Sequence, residues 1–270
     1  MNQNEPFSPD ITKYIHAVEN SEKVKIIGKV IQVVGLIIEA QVQGVSIGDL
    51  CIIKKGKADE IVYGEVVGFK EARVLLMPLG TTAGIFPGAE VLAAGHPLSV
   101  KVGPELLGRV LNGLGEPIDD KGPLIAEAER PMDADPPDPV KRPRITEVLR
   151  VGIRAIDGLL TIGRGQRIGI FAGSGVGKST LMGMIARNAE ADVNVICLVG
   201  ERGREVRDFI EESLGEEGLK KSVVIVATSD QPPLIRLKAS FVATAIAEYF
   251  RDQDMKVIFM MDSTTRFAYA

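Results

Sequence analysis

Apolar residues follow two different patterns along the chain, and the pattern changes near residue 95. From about Val24 to Leu92, short apolar runs are separated by glycine and proline, which is typical of short strands joined by tight turns. The runs predict five strands, with the sequences KIIGKVIQVVG, LIIEAQV, DLCIIKK, IVYGEVVGF and ARVLLMPL. Several short strands at this spacing predict a small closed β-barrel.

From Arg150 onward, continuous apolar runs alternate with segments of helical periodicity. The apolar runs predict strands at RIGIFAG (167–173), VNVICLVG (193–200), SVVIVATS (222–229) and KVIFMMDS (256–263). Amphipathic helices are predicted within 205–214 and 234–250. Buried strands that alternate with such helices predict a mostly parallel sheet covered on both faces, so the fold class is α/β behind an N-terminal barrel.

Two segments fit neither pattern. Residues 1–20 are polar, with Ile11, Ile15 and Val18 at helical spacing, and form either a short partner-binding helix or a frayed tail. A proline cluster from Pro131 to Pro143 ends in the basic run 141–144, which predicts an extended surface strap with a solvated charged end.

Composition limits the partners. The 270 residues fit one or two domains, and 32 Lys and Arg against 36 Asp and Glu give a net charge of −4. A general polyanion binder is usually basic, so wholesale coating of nucleic acid is disfavoured. Residues 1–95 hold 9 basic and 11 acidic side chains and only five aromatic ones, so the barrel lacks stacking platforms in a basic groove. We therefore expect an assembly collar.

The cysteines and histidines argue against a disulfide-rich protein and against a zinc or histidine-based metal centre. Cys51 and Cys197 lie far apart and outside any CxxC pattern, which argues against a disulfide scaffold and a zinc module and fits a reducing cytoplasm. His16 and His96 are too few for a histidine-based metal centre. The N-terminus resembles no signal peptide, and no apolar stretch predicts a membrane span, so a cytoplasmic location is expected.

The strongest chemical signal is AGSGVGKST, residues 172–180, which matches the phosphate-binding loop with Ala172 in place of the first glycine. It follows a predicted strand and opens a predicted helix, so backbone N–H groups and the helix N-terminus would face a phosphate. Lys178 would reach the β- and γ-phosphates of ATP, and the Ser179 hydroxyl would bind Mg²⁺. The alternative is a flexible turn. The predicted nucleotide-binding residues are Gly173, Ser174, Gly175, Val176, Gly177, Lys178, Ser179 and Thr180.

Two acidic residues follow predicted parallel strands, whose carboxyl ends line the ligand crevice of such sheets. Asp262 ends the strand VIFMM and is a candidate Mg²⁺ ligand, although many strands end in an aspartate that only caps the next turn. Glu201, in GERGRE, would polarise the attacking water, unless this is only a solvated charge run. Arg202 and Arg266 are candidate phosphate clamps or ordinary surface ion-pair partners.

Several blocks together resemble the catalytic subunits of rotary ATPases: LGRVLNGLGEPIDDKGP, VGIRAID, the phosphate loop, GERGRE and MMDS. The blocks ERGREVRDFIEESLG and ATSDQPPLIRLKASFVATAIAEYFRD are similar to the ATPases of type III protein export, and among them most to the flagellar branch. The similarity runs from about Lys23 to the last residue.

This resemblance implies a β-barrel collar over residues 1–95, a nucleotide-binding core of the RecA type over residues 96–270, and a homohexameric ring. It places the phosphate loop at 173–180, the catalytic glutamate at Glu201 with Arg202 beside it, and the magnesium aspartate at Asp262. The non-catalytic rotary subunits lack the equivalent of Glu201, so its presence favours hydrolysis over passive nucleotide binding.

The implied activity is ATP hydrolysis coupled to flagellar protein export at the cytoplasmic face of the inner-membrane export apparatus. Implied partners are a stalk-like regulator, a central shaft protein, the export gate membrane proteins and chaperone–substrate complexes. The alternatives are a virulence-type secretion ATPase, a nucleotide-binding subunit without turnover and an RNA or DNA ring translocase.

Family members continue well past the position of Asp262, so the resemblance implies that this chain is a C-terminally truncated enzyme. The arginine that reaches the γ-phosphate of the neighbouring subunit and the adenine pocket have no equivalents in these 270 residues. We expect an unfinished sheet edge, uncovered apolar surface and low turnover, because such an arginine contributes roughly 10³–10⁵ in rate.

Overall fold

The computed structural model describes residues 26–56, 60–173 and 175–270, so the segment 1–20 and Ser174 lie outside the described residues. The N-terminal region is a closed barrel in which six strands follow the order β1-β2-β5-β4-β3-β6. Antiparallel pairing of β1 with β6 closes the ring. The strands are β1 (Ile27–Val34), β2 (Ile37–Gln41), β3 (Asp49–Lys54), β4 (Ile61–Lys70), β5 (Arg73–Pro78) and β6 (Glu90–Pro97).

Buried and more exposed residues alternate along these strands, and the buried ones form the barrel core. Inward-facing residues such as Val30, Ile38, Ile53, Leu76 and Val91 are almost fully buried and form one apolar cluster. The five predicted strands are confirmed. The sequence pattern missed β6, in which only Val91 is fully buried, so its signal is weak although its pairing is what closes the barrel.

The connecting region crosses the surface. Its elements are β7 (Ser99–Val102), a 3₁₀ turn (Pro104–Leu106), β8 (Val110–Asn112), β9 (Ala128–Pro131), a second 3₁₀ turn (Pro139–Lys141), β10 (Val148–Leu149), α1 (Arg154–Leu159) and β11 (Ile162–Gly163). Residues 133–148 are exposed, as expected of a strap. Near the start of the connecting region, Arg109 Nε donates to Asp119 Oδ2 at 2.7 Å, and both side chains are nearly buried.

The second region is an α/β sheet. Its elements are α2 (Lys178–Asn188), β12 (Val193–Val199), α3 (Gly203–Asp208), a π-helical turn (Phe209–Leu214), α4 (Gly215–Lys220), β13 (Ser222–Ala227), α5 (Pro233–Asp252), β14 (Val257–Asp262) and α6 (Thr264–Ala268). Four strands pair in the order β14-β12-β13-β8, and every pairing is parallel. The predicted parallel sheet is confirmed, and the short strand β8 is an addition that the sequence pattern did not indicate.

Both faces of this sheet are covered, as predicted. Alternate residues of β12 and β13, such as Val195 and Ile225, pack against α5. The intervening residues, such as Ile196 and Val224, pack against α2 and the π-helical turn. Because successive side chains of a strand point to opposite faces, continuous burial requires helices on both sides. The buried stripe of α5 runs through Ile235, Ala239, Val242, Ile246 and Phe250. The apolar side chains at its margins are half-buried and are Leu234, Leu237, Phe241 and Tyr249.

One predicted strand is wrong. Residues 167–173 run next to the sheet, with Ile170 packed among the side chains of two clusters, but they form no strand. The segment contains Gly169 and Gly173, which weaken a strand, and no neighbouring strand supplies a ladder of hydrogen bonds. Phe171 is consequently 97% exposed.

The barrel contacts the second region through an ion pair in which Lys238 Nζ on α5 lies 2.7 Å from Glu65 Oε1 on β4. Both side chains are largely shielded from solvent. Across the described parts of the chain, none of the helices combines the length and apolar character needed to cross a bilayer.

Candidate functional site

The loop before α2 has the shape that phosphate binding requires. Gly175 and Gly177 adopt φ values of 76° and 95°, in the left-handed region that favours glycine. A Cβ at either position would meet no heavy atom within 4 Å, so the loop backbone borders open space. Helix α2 begins at Lys178 directly after Gly177, which directs its unpaired N-terminal N–H groups toward that space.

The aspartate predicted to bind Mg²⁺ lies beside the loop lysine. Asp262 ends β14 and stands opposite Leu198 of β12, so the carboxyl ends of the two parallel strands meet at one edge. Its side chain is nearly buried, and its Oδ1 accepts a hydrogen bond from Lys178 Nζ. Folding thus joins two groups that are 84 residues apart in sequence.

Glu201 lies at the same edge, two residues after β12 ends. Gly200 makes this placement possible, because its φ is 70° and a Cβ there would lie 2.8 Å from Arg266 Cδ. Arg266, on α6, places its Nη1 2.5 Å from Glu201 Oε1. The Ser263 hydroxyl supports this helix by accepting from the backbone N–H of Arg266.

The surroundings of Glu201 favour its protonated form. Burial raises the pKa of Glu201, contact with Arg266 lowers it, and a hydrogen bond with Glu205 together with the negative charge of Asp262 raises it again. The net direction is upward. A carboxyl group with a raised pKa at a ligand cleft is suited to proton transfer near neutral pH.

Other predicted residues take different positions. Arg202 lies at the rim, with an exposed side chain whose Nη1 is 3.7 Å from Glu205 Oε1. Val176 belongs to the loop but points to solvent. Glu205 and Phe209 line the cleft and were missed by the sequence analysis. For Glu205 a signal existed, because it is the third residue of the helix that begins at Gly203, a position typical of a capping carboxylate.

These groups surround one cleft of about 660 Å³, a size typical of small-molecule and cofactor sites. Its walls combine loop backbone, cations and carboxylates. The lining residues are Ala172, Gly173, Gly175, Gly177, Lys178, Ser179, Thr180, Leu198, Glu201, Arg202, Glu205, Phe209, Asp262 and Arg266. The fold therefore collects every described residue of the predicted site except Val176.

A parallel sheet, a glycine-rich loop opening a helix and an aspartate at the end of a nearby strand define the class of P-loop nucleotide-binding proteins, here with an N-terminal barrel. Residues 30–95 match the family model described as "ATP synthase alpha/beta family, beta-barrel domain". Residues 152–270 match the model for the nucleotide-binding domain of the same family. The chain belongs to the ATP synthase alpha/beta family.

Similar proteins carry names that refer to the flagellum or to a type 3 secretion system. The "Flagellum-specific ATP synthase" of Bacillus subtilis is 58% identical over 95% of this chain and 59% of its own length. The "Type 3 secretion system ATPase" of Xanthomonas euvesicatoria is 51% identical over 90% of this chain and 55% of its own length. The chain thus spans less than two thirds of the length of these curated relatives.

A solved structure has the same fold. The assembled ATPase EscN of enteropathogenic E. coli, in complex with its central stalk EscO, superposes with a TM-score of 0.84 at 46% identity. The match covers 90% of this chain and 59% of that chain.

Proposed function

We propose that this chain is part of an ATPase that couples ATP hydrolysis to flagellar type III protein export. The observation that carries the proposal is the cleft in which Lys178, Glu201, Asp262 and Arg266 converge beside the glycine loop. The relatives named as flagellum-specific ATP synthases support the export role.

The residues present fit ATP and Mg²⁺. The open loop backbone and Lys178 would hold the phosphates, and the Ser179 hydroxyl and the Asp262 carboxylate are the oxygen ligands that Mg²⁺ prefers. Bound Mg²⁺ would neutralise charge on the β- and γ-phosphates. Lys178 contacts Asp262 in this structure, so a phosphate would compete with Asp262 for the ammonium group.

Glu201 is the proposed general base, because its carboxyl group borders the cleft and its pKa is raised. Arg202 and Arg266 are the proposed phosphate clamps. Arg266 reaches the cleft on α6 and contacts Glu201 in this structure, so a phosphate group would compete with Glu201 for its guanidinium.

In the same proposal, residues 1–95 form the collar and residues 96–270 the nucleotide-binding core of a homohexamer. A stalk partner is supported by the EscN structure described with its central stalk EscO. The shaft protein, the export gate, chaperone–substrate complexes and a position at the cytoplasmic face of the inner membrane complete the proposal.

The second candidate is a virulence-type secretion ATPase, because relatives of that name match almost as well as the flagellar ones. It uses the same cleft and chemistry and differs in the exported proteins. Genes for flagellar or needle components next to the coding gene would separate the two candidates.

The test uses nucleotide binding and hydrolysis by Glu201→Gln. The amide keeps the shape of the side chain but cannot accept a proton as a carboxylate does, so Mg-ATP binding should persist while hydrolysis falls. Asp262→Asn should instead weaken the Mg²⁺ dependence of binding. Binding is followed with a fluorescent ATP analogue and hydrolysis by phosphate release.

Glu211→Gln is the matched control, because Glu211 is an exposed glutamate paired with Arg207 outside the cleft. Hydrolysis at the parent rate by Glu201→Gln would reject the water-activating role. Hydrolysis that rises several-fold on addition of RNA or single-stranded DNA would favour a nucleic-acid translocase instead.

A further inference from the structure

The backbone that follows β12 departs from the regular pairing with β13. Val199, the last residue of β12, stands opposite Ala227. The Gly200 N–H still follows the ladder and donates to Ala227 O at 2.6 Å. In a regular parallel ladder the Ser229 N–H would next donate to Gly200 O. It donates instead to Glu201 O, at 3.0 Å, so the chain after β12 contains one residue more than the ladder accommodates.

An extra residue in one strand of a pair is a β-bulge. Here Gly200 and Glu201 together stand opposite Thr228. In one type of bulge the first of the two residues is a glycine with a left-handed backbone, and the φ of 70° at Gly200 fits this type. Because side chains alternate along a strand, one extra residue changes the face that the next side chain takes.

The side chains of β12 show which face Glu201 would take without the bulge. Cys197 and Val199 pack in the cluster that contains α5. Leu198 points to the opposite face, where it packs with residues of α2 and lines the cleft. Strict alternation after Val199 would place Glu201 on the α5 face with Cys197. Glu201 instead lines the cleft with Leu198 and contacts Arg266.

We propose that Gly200 is a positioning residue: its left-handed backbone forms the bulge that turns Glu201 from the α5 face of β12 into the nucleotide cleft. Glycine is suited to the position because it adopts this φ without strain and leaves room for the Arg266 side chain, which a Cβ would approach to 2.8 Å. The inference rests on the proposed role of Glu201 in hydrolysis, which requires the carboxyl group on the cleft side.

The test follows the face of residue 201 through the reactivity of a cysteine. In Glu201→Cys the thiol should lie in the cleft, react with iodoacetamide and be shielded by Mg-ATP. Cys197 marks the other face, because it is fully buried and its thiol donates to Ala239 O at 3.5 Å. Adding Gly200→Val should remove the bulge, since a β-branched residue strongly disfavours a left-handed backbone. Labelling of residue 201, measured by mass spectrometry, should then fall toward that of Cys197.

A chain that lacks Gly200 gives the opposite expectation. Without the extra residue the ladder is regular, and the residue after Val199 takes the same face as Leu198. The cysteine of Glu201→Cys should therefore stay accessible from the cleft in this deletion, although it loses access with Gly200→Val. Loss of its labelling in the deletion would overturn the proposal.

Gly215→Val is the matched control, because Gly215 also has a left-handed φ, 63°, and lies outside the cleft. It should leave the labelling of residue 201 unchanged. An unchanged rate with Gly200→Val, or an equal fall with Gly215→Val, would contradict the role of the bulge. Absence of labelling at Cys197 shows in each variant that the sheet is folded. If Gly200→Val does not fold, the deletion decides.

A kinetic measurement adds a second readout. With Glu201 intact, Gly200→Val should lower kcat by about 10²-fold, because the carboxyl group is displaced from the attacking water. Binding of Mg-ATP should persist, since the phosphate loop is unchanged. Hydrolysis at the parent rate would contradict the inference. The labelling needs no turnover, so absence of hydrolysis in the parent chain would count against the proposed function alone.

Discussion

The barrel is closed and has no free strand edge, whereas the α/β sheet is open. The barrel pairs β1 with β6, so each of its six strands has two neighbours. The sheet is open, and in the described part of the chain β14 pairs with β12 on one side only. Apolar side chains near this edge, including Phe171 and Phe259, are exposed. The expected open edge and uncovered apolar surface are therefore present.

The two regions also differ in the pKa of their buried carboxyl groups. In the barrel, the nearly buried Glu39 lies 2.7 Å from Arg73, and hydrogen bonds lower the pKa of Glu39, so it stays ionised. At the edge of the sheet, Glu201 has a raised pKa and shares its surroundings with Asp262 and Arg266. A closed barrel fixes its charges for structure, whereas an open edge leaves groups that a ligand can re-pair.

The largest expected effect is a loss of ATP hydrolysis that leaves the stability of the barrel unchanged. Lys178→Ala should lower ATP hydrolysis by up to about three orders of magnitude, because it removes the cation placed for the β- and γ-phosphates. The thermal unfolding of the barrel should not change, since Lys178 and its ion-pair partner Asp262 both belong to the α/β region. Phosphate release and a thermal melt measure the two effects. Near-parent hydrolysis would reject the phosphate-loop assignment.

The next effect compares a buried and an exposed apolar residue. Ile53→Ala, in the barrel core, should lower the free energy of unfolding by about 2–5 kcal/mol, because it leaves a cavity. Phe171→Ala, next to the open edge, should change it by less than about 0.5 kcal/mol. Urea denaturation measures both. Equal losses would mean that Phe171 is covered in solution.

An acid titration tests an ion pair that stabilises the sheet region. Burial would raise the pKa of Asp119, but hydrogen bonds from Arg109 and from the N–H groups of Val110 and Lys121 outweigh it and lower that pKa to about 2. The pair should contribute about 2 kcal/mol to the free energy of unfolding above pH 4. This contribution is lost as pH falls through the folded-state pKa near 2.

The variant Asp119→Asn checks the sign of this pH dependence. It should be less stable than the parent at pH 7, and the difference between the two free energies of unfolding should shrink as pH falls from about 4 toward 2. A difference that stays constant over this range would show that Asp119 keeps an ordinary pKa.

The smallest effect concerns the contact between the regions. A double-mutant cycle with Lys238→Met and Glu65→Gln should give a coupling of about 1 kcal/mol or less, as is usual for ion pairs that keep some solvent contact. Unfolding monitored separately in each region provides the measurement. A coupling well above this value would mean that the two side chains interact as a buried ion pair does.

Sequence patterns predicted much of the fold and the site. Short apolar runs separated by glycine and proline identified five barrel strands, and continuous apolar runs identified β12, β13 and β14. The loop motif and the acids after two strands identified Lys178, Glu201 and Asp262, because parallel strands deliver their carboxyl ends to a common edge. The sequence pattern failed for β6 and β8, whose apolar signal is short, and for 167–173, which is apolar but lacks a pairing partner.

The sequence by itself determined which segments can be strands or helices and which residue types stand at their ends, because these depend on local spacing. Only the tertiary structure decided which strands pair, since a strand is stable only when a distant segment completes its hydrogen bonds. It also decided the partners of Glu201. Arg266 reaches that carboxyl group from α6, and the electrostatics that raise its pKa arise only where α3, α6 and β14 meet.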